Sequence, residues 1–542
     1  MSPLNRSQFK FRRHDTIGTE GAEEDTEYLK ECFVDTGDLA VLRNTREPRR
    51  IVVGRTGAGK SALLLLLAKV EERVASIEPE QLALNYIANS TILRHLDALG
   101  VNLDLFYRLL WRHIFAIELV QLKYGLRSAE DQSGFFLKIR ELLKGDKRKA
   151  EALAYLSQWG DKFWKDTEFR VHEVTTKFED EIRAKLGASI GKLEAGAESG
   201  VSLSVEDRRE IVHRAQAVVD AVQIQKLSQV IDILAEDVFN DPQQKYFVLI
   251  DRLDEHWVVD TLRYKLIRAL IETVKDLQRI TSAKLVVAIR RDLLQRVFRE
   301  TRDAGFQEEK YQALYLPISW TKDTLMSVLD KRLSKLIQRK YSASPITFRD
   351  IFPQRLGQVD TAKFLVERTL YRPRDIIQFC NCCIDLSVDR PDITAQSVRD
   401  AESTYSTLRF RSLGDEWAAD YPELLTVAEL LRKRPPLFPA TDITAEQLDG
   451  YCISELTAGP RSRLRDHFQA YYDGTIAIDE LRARVLGVFY EVGLIGLKRD
   501  VNQPISWSFK ERDVLRSADI GAESRVAVSP MFNRVLGIAE RT

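Results

Sequence analysis

Apolar positions along this chain follow two spacings, and their alternation outlines the fold. Short continuous apolar runs at Arg50–Val53, Val74–Ile77, Tyr246–Ile250 and Lys284–Ile289, with the alternation Leu314, Leu316, Ile318, predict five strands. Helical spacing fills Ser61–Val70 and Val258–Ile280, so strands and helices take turns. That alternation implies a parallel sheet with helices on both faces. From Pro79 to Asp241 the spacing is almost wholly helical. Phe106, Leu109, Leu110, Ile114, Ile117 and Val120 share one face, which also carries His113, expected as a core residue. Val171, Val174, Phe178, Ile182, Leu186, Ile190 and Leu193 form a second stripe.

A turn-like stretch, Glu194–Gly200, follows that stripe, and Ser204-Val-Glu-Asp207 has the form of a capping box. The helix it opens places Ile211, Ala215, Val218 and Val222 on one face. Two readings fit these helices: a projecting hairpin or coiled-coil arm, and two core helices of a bundle. Residues 20–45 read as two short helices ended by Pro48, and residues 320–410 as helical again. Near the C-terminus, Leu481–Glu491 is an amphipathic helix with Gly493 suited to a left-handed cap. Leu494–Arg499 and Ile505–Lys510 flank Asp500-Val-Asn-Gln-Pro504 as the two strands of a hairpin wing. The expected divisions are residues 1–78 and 242–319 for a split sheet domain, 79–241 for a helical insertion, 320–410 for a helical lid and 411–542 for a winged-helix-like C-terminal domain.

At 542 residues the chain exceeds what one core organises. Lys+Arg and Asp+Glu both number 81, so no bulk charge favours nucleic acid. The N-terminal residues lack the apolar core of a signal peptide. The longest apolar run, Ala62–Val70, contains Lys69 and is far short of a membrane span, so a cytoplasmic protein without membrane contact is expected. Cys32, Cys380, Cys382, Cys383 and Cys452 form no disulfide framework, and the Cys380-Asn-Cys-Cys383 cluster, without partners at zinc-ligand spacing, reads as buried, reduced thiols.

The chemistry begins at Gly54-Arg-Thr-Gly-Ala-Gly-Lys-Ser61, set between an apolar strand and an apolar helix. Glycines let the backbone N–H groups of such a loop turn inward around phosphate, and the next helix adds its positive end. Gly54, Arg55, Thr56, Gly57, Ala58, Gly59, Lys60, Ser61 and Ala62 are the expected nucleotide contacts. Lys60 is expected to reach the β- and γ-phosphates, and Ser61 to ligate Mg²⁺. Asp251, at the end of the apolar run Tyr246–Ile250, is the expected second support for Mg²⁺. Asp254 and Glu255 are both candidates to polarise the attacking water, with Glu255 preferred. Arg290 and Arg291 close the next strand, and Arg372 and Arg374 flank Pro373 at a helix start, so each pair is a candidate for sensing the γ-phosphate. Arg296, Arg299 and Arg302 are candidates for a finger across a subunit interface. His256 is read as part of the same strand end. Lys498, Arg499, Lys510 and Arg512 could contact nucleic-acid phosphates, but packing of the wing is favoured over DNA binding. Trp507 and Phe509 share a face expected to be core.

These residues resemble the STAND/AAA+ branch of P-loop NTPases. Asp251-Arg-Leu-Asp-Glu255 is similar to the second motif of NACHT-type proteins, where acids recur three and four positions after the magnesium Asp. Arg252 stands where NACHT-type proteins have a small residue and most AAA+ proteins have Glu, which moves the presumed base downstream. Over nearly its whole length the chain resembles a little-characterised bacterial P-loop ATPase family. The resemblance lies in Ile17-Gly-x-x-Gly-Ala-Glu23, Leu249-Ile-Asp-Arg-Leu-Asp-Glu-His-Trp257, Gly305-Phe-Gln-Glu-Glu-Lys-Tyr311 and Tyr371-Arg-Pro-Arg-Asp-Ile376. It implies an α/β P-loop NTPase with an AAA+/STAND-like parallel sheet, a large helical insertion, a helical lid and a C-terminal winged-helix-like domain. It also implies ATP as ligand and likeness to defence and stress ATPases. The spacing agrees with the insertion, because Lys60 and Asp251 lie 191 positions apart.

The function expected is a Mg²⁺-dependent ATPase that works as a conformational switch, as a homo-oligomer and through an effector protein. A DNA-binding, initiator-like ATPase and a nucleotide-stabilised scaffold are the alternatives. No Asn-Lys-x-Asp guanine-reading motif occurs.

Overall fold

The computed structural model describes residues 9–82, 90–125, 167–187, 204–221, 230–255, 257–258, 260–301, 307–338, 345–457, 462–500, 502–510 and 519–539. Several sequence expectations lie outside them. These are Ile190, Leu193, the Glu194–Gly200 turn, Val222, His256, Arg302, Gly305, Phe306, Val501, Arg512 and the side chains of Val171, Val174, Asp207 and Cys452.

The chain divides into two compact units, one of Asp35–Arg55 and Lys60–Ile318, the other of Met1–Val34, Thr56–Gly59 and Ser319–Thr542. The first unit is built on five parallel strands: β1 (Ile51–Gly54), β2 (Val74–Ile77), β3 (Tyr246–Ile250), β4 (Ala283–Arg290) and β5 (Tyr315–Pro317). Their order is β2-β3-β4-β1-β5, so β4 separates β1 from β3. The strand that leads into Asp251 is thus not the direct neighbour of the loop strand; β4 takes that position. Every residue of β3 and nearly every residue of β4 is buried, as befits parallel strands covered on both faces.

Period-two alternation assigns the two faces. Ile51 and Val53, Val248 and Ile250, and Leu285, Val287 and Ile289 join one apolar core with helices α2 (Asp104–Tyr124), α5 (Asp260–Asp276) and α6 (Arg291–Glu300). Val52, Phe247, Leu249, Val286 and Ala288 point the other way, and α1 (Lys60–Val70) packs on β1 and β4. The helical stretch after β2 includes α2, α3 (Thr167–Leu186) and α4 (Val205–Ala221). Phe178, Ile182, Leu186, Ile211, Ala215 and Val218 are buried in the same core as the sheet, and the Phe178 ring stacks on Phe106 at 4.2 Å. Over the described residues these helices are therefore core helices, not a free arm. His113 is fully buried on α2, as expected.

The second unit has its own apolar core. Its principal helices are α7 (Lys322–Gln338), α8 (Pro373–Asp385), α9 (Ala395–Trp417) and α10 (Ile478–Val492). The division expected at 410/411 falls within α9, and a single core continues across it. The N-terminal residues, expected to belong with the sheet, join this unit instead. Asn381 of α8 accepts from Ile17 N at 3.0 Å and donates to Gly18 O at 3.0 Å, and Arg332 pairs with Asp25. Gly493 caps α10 with φ 86°, as its position suggested.

The predicted wing is only half right. After the short paired strands β6 (Arg355–Leu356) and β7 (Val359–Asp360), β9 (Ile495–Lys498) forms, but its main partner is β10 (Arg525–Val528), which also pairs with β8 (Leu437–Pro439). Residues 505–510 contribute a single bridge, Ser506 to Leu497. Among the described residues no helix is long and apolar enough to cross a membrane.

Candidate functional site

In the first unit, β1 ends at Gly54 and α1 begins at Lys60, while Asp251 follows directly on β3 and Arg290 ends β4. The C-terminal ends of parallel strands are where such sheets gather polar residues. Ser61 stands beside the Asp251 carboxylate and favours its charged form, and Arg252 N donates to Asp251 Oδ1 at 2.8 Å. Burial pushes the Asp251 pKa up, and Ser61, the Arg252 N–H and Lys60 oppose it incompletely. The Lys60 amine donates to Arg55 O at 3.1 Å. Burial pushes its pKa down, against the pull of Asp254 and Asp251.

Asp254 and Arg290 complete this cluster. Arg290 Nη1 lies 3.4 Å from Asp254 Oδ2, and its Nη2 lies 2.9 Å from Asp292 Oδ2. Arg296 Nη2 also reaches Asp292, at 3.1 Å. Burial favours protonation of Asp292, but Arg290 and Arg296 outweigh it and hold the carboxyl below the usual range. The structure thus brings together Lys60, Ser61, Asp251, Asp254 and Arg290.

It does not give Glu255 the same surroundings. Glu255 Oε1 lies 3.7 Å from Arg252 Nε, and its pKa is raised by burial, then by Glu80, Asp254 and Glu78 against Arg252. Asp254, second choice in the sequence reading, is the acid beside Lys60 and Arg290. Arg291 is the first residue of α6, and the contacts to Asp254 and Asp292 belong to its neighbour. Asp292 and Arg263 were not anticipated. Arg263 is buried and donates to the carbonyls of Asp254 at 3.3 Å and Glu255 at 3.0 Å, fixing the acidic turn. Arg296, expected as a finger, is spent on Asp292. Arg299 is paired with its neighbour Glu300 at 3.0 Å. Ala62 is a half-buried residue of the first turn of α1.

The second unit holds the four central loop residues, Thr56–Gly59. Gly57 (φ 73°) and Gly59 (φ 95°) lie in the left-handed region. A Cβ on Gly57 would stand 2.8 Å from Arg374 Cβ. Arg372 Nη1 donates to Thr56 O at 2.8 Å, and Trp320 Nε1 donates to Ala58 O at 2.8 Å. Arg374 N lies 3.5 Å from Gly57 O.

Arg372 is 1% exposed, so its guanidinium is not the projecting sensor expected of it. Its Nε pairs with Asp375 at 2.8 Å and its Nη1 with Glu416 at 3.4 Å, while Arg409 Nε lies 3.3 Å from Asp375. Burial alone would lower the Arg372 pKa, but Asp375 and Glu416 outweigh it. A buried guanidinium needs such pairing, which commits it to the protein. Arg374 Nε lies 3.4 Å from Glu20 O.

In the C-terminal region, Lys510 Nζ sits 4.4 Å over the Tyr371 ring, and Phe509 stacks on the same ring at 6.1 Å. Phe509 is therefore partly buried packing, as expected. Lys510 is exposed, but is engaged with a ring of its own chain. Lys498 and Arg499 are half-buried near the end of β9. Cys32, Cys380 and Cys383 are buried and Cys382 partly so; burial pushes the Cys382 thiol up to about 11.

Comparison with known proteins gives two matches. Residues 323–414, which include all but the first residue of α7, the whole of α8 and the Tyr371–Ile376 motif, match a family model described as a FunZ-associated C-terminal helical domain. The chain is also 22% identical over 527 residues to a provisionally named transposon gamma-delta 80.3 kDa protein of Escherichia coli (strain K12), covering 95% of this chain. It spans 66% of that relative, just under two thirds of its length. No solved structure matches significantly.

Proposed function

We propose that the chain is a Mg²⁺-dependent ATPase on a P-loop NTPase fold of AAA+/STAND-like type, acting as a nucleotide-driven switch. The observation that carries this reading is the meeting of Ser61 and Asp251, distant in sequence and brought side by side at the strand ends. A hydroxyl and a carboxylate are the hard oxygen donors that Mg²⁺ takes. Mg²⁺ held by Ser61 and Asp251 would neutralise charge on the β- and γ-phosphate oxygens.

In this reading the loop N–H groups and Lys60 hold the triphosphate, and Lys60 balances charge that moves toward the β–γ bridge oxygen. Asp254 accepts a proton from water as that water attacks the γ-phosphorus; the bond to the bridge oxygen breaks and ADP leaves with the electron pair. Arg290 steadies Asp254 and is the γ-phosphate sensor of choice, since it reaches both Asp254 and Asp292. ATP is preferred to GTP on the resemblance and on the missing guanine-reading motif. The region from β8 through three helices to β9 and β10 supports a winged-helix-like domain that packs on its own unit. Lys510 over Tyr371 favours packing over DNA contact. Homo-oligomerisation and an effector partner in defence or stress signalling complete the proposal. The transposon in the relative's name adds no activity to it.

The test is steady-state phosphate release by the full chain with ATP and Mg²⁺. Turnover should be lost in Lys60→Ala and fall about a hundredfold in Asp254→Asn with ATP binding retained. A wild-type chain that neither binds nor hydrolyses ATP would sink the proposal.

A further inference from the structure

Three consecutive carbonyls of the loop each face a donor of the same unit. Arg372 Nη1 donates to Thr56 O at 2.8 Å and Trp320 Nε1 to Ala58 O at 2.8 Å. Between them, Gly57 O faces Arg374 N at 3.5 Å. Trp320 Cζ2 also lies 3.7 Å from where a Cβ of Gly59 would stand, and Arg374 occupies the equivalent space at Gly57. A trans peptide is planar, and its C=O and N–H point in opposite directions. Holding the carbonyls of Thr56, Gly57 and Ala58 therefore turns the N–H groups of Gly57, Ala58 and Gly59 away from Trp320 and Arg372.

We infer that Trp320 and Arg372 are positioning residues for phosphate binding, a carbonyl clamp that pre-sets the loop's N–H donors. The inference rests on the phosphate-loop reading above. Neither residue touches phosphate in this scheme; both act through the loop backbone. The two anchors differ in kind. Arg372 is held rigid by Asp375 and Glu416. Trp320 is half-buried and contributes one neutral hydrogen bond from a flat ring, and phenylalanine removes that N–H while keeping an aromatic ring in its place. Free glycines sample many conformations, and donors that need no rearrangement bind anions more tightly.

The probe is tripolyphosphate, which has the charges of the ligand without its base, competed against a fluorescent ATP analogue on the full chain. Trp320→Phe should weaken tripolyphosphate and ATP by the same factor, roughly three- to tenfold, the worth of one hydrogen bond. Its urea unfolding midpoint should stay at the wild-type value. Arg372→Lys should weaken both ligands further, and Lys60→Ala should abolish both. Undiminished affinity in Trp320→Phe, beside loss in Lys60→Ala, would overturn the clamp and leave the phosphate loop standing. A loss in Trp320→Phe that tracks a fallen unfolding midpoint would also overturn it. If Lys60→Ala binds both ligands normally, the loop reading itself fails.

Discussion

Two residues that flank the chemistry are held in a backbone region that side chains disfavour. Arg252, directly after Asp251, has φ 59°, and Tyr371, directly before Arg372, has φ 52°. Each such residue costs on the order of 1 kcal/mol or more, which the surrounding contacts must offset. Arg252 is repaid in part by its N–H on Asp251, and Tyr371 by Phe509 and Lys510 at its ring. Arg252→Gly should therefore raise the free energy of urea unfolding by roughly 1 kcal/mol, because glycine takes this conformation without strain. An unchanged or lowered value would show that the Arg252 side chain matters more than its backbone. The acids divide at the same scale. Asp254→Asn should slow ATP turnover far more than Glu255→Gln, since only Asp254 joins Lys60 and Arg290. Steady-state kinetics of both variants decide it, and the reverse order would return the base role to Glu255. That Asp251 and Ser61 would share one cluster was legible from residue type and context alone. The choice of Asp254 over Glu255 was not, because it depends on how Arg263 fixes the turn and where Arg290 reaches.

Among the elements, β4 carries an unusual passenger. Lys284 is fully buried, and its amine donates to Val41 O and Asn44 O, both at 2.8 Å. Burial, with nearby Arg50, brings its pKa down to about 7. A neutral amine has the two N–H donors these carbonyls use. Between pH 7 and the ordinary lysine range the unfolded chain holds a proton that the folded chain lacks, so stability should rise with pH across that window. Urea midpoints of wild type should climb from pH 7 to pH 9, and those of Lys284→Met should climb less; parallel curves would contradict this. The sequence presented Lys284 simply as the first residue of an apolar run. The strands themselves were readable because burial on both faces makes them continuous apolar runs. Their order was not, since placing β4 between β1 and β3 is a long-range choice. The wing failed for the same reason. Residues 505–510 have strand-like alternation, but β9 finds its long partner at Arg525–Val528, beyond the reach of local pattern.

Across the whole chain, each unit has a buried apolar core of its own. Chains built this way unfold in more than one step. Leu270→Ala, in the first core, and Phe379→Ala, in the second, each delete a fully buried side chain and should each cost about 2–5 kcal/mol. Calorimetry should show each substitution lowering a different transition, whereas a single transition shifted by both would mean that the units unfold as one. Sequence periodicity foresaw helical stretches on both sides of the split sheet. It missed that the N-terminal residues and the loop's central residues would group with the C-terminal unit, because those links run through single side chains such as Asn381, Arg372 and Trp320. The central claim, that Ser61 and Asp251 hold the Mg²⁺ of a bound nucleotide, is tested most directly by ATP affinity with Mg²⁺ and with chelator. Wild type should bind at least about tenfold more tightly with Mg²⁺, and Asp251→Asn should lose most of that difference. Equal affinity of wild type under both conditions, or an undiminished Mg²⁺ effect in Asp251→Asn, would contradict the claim.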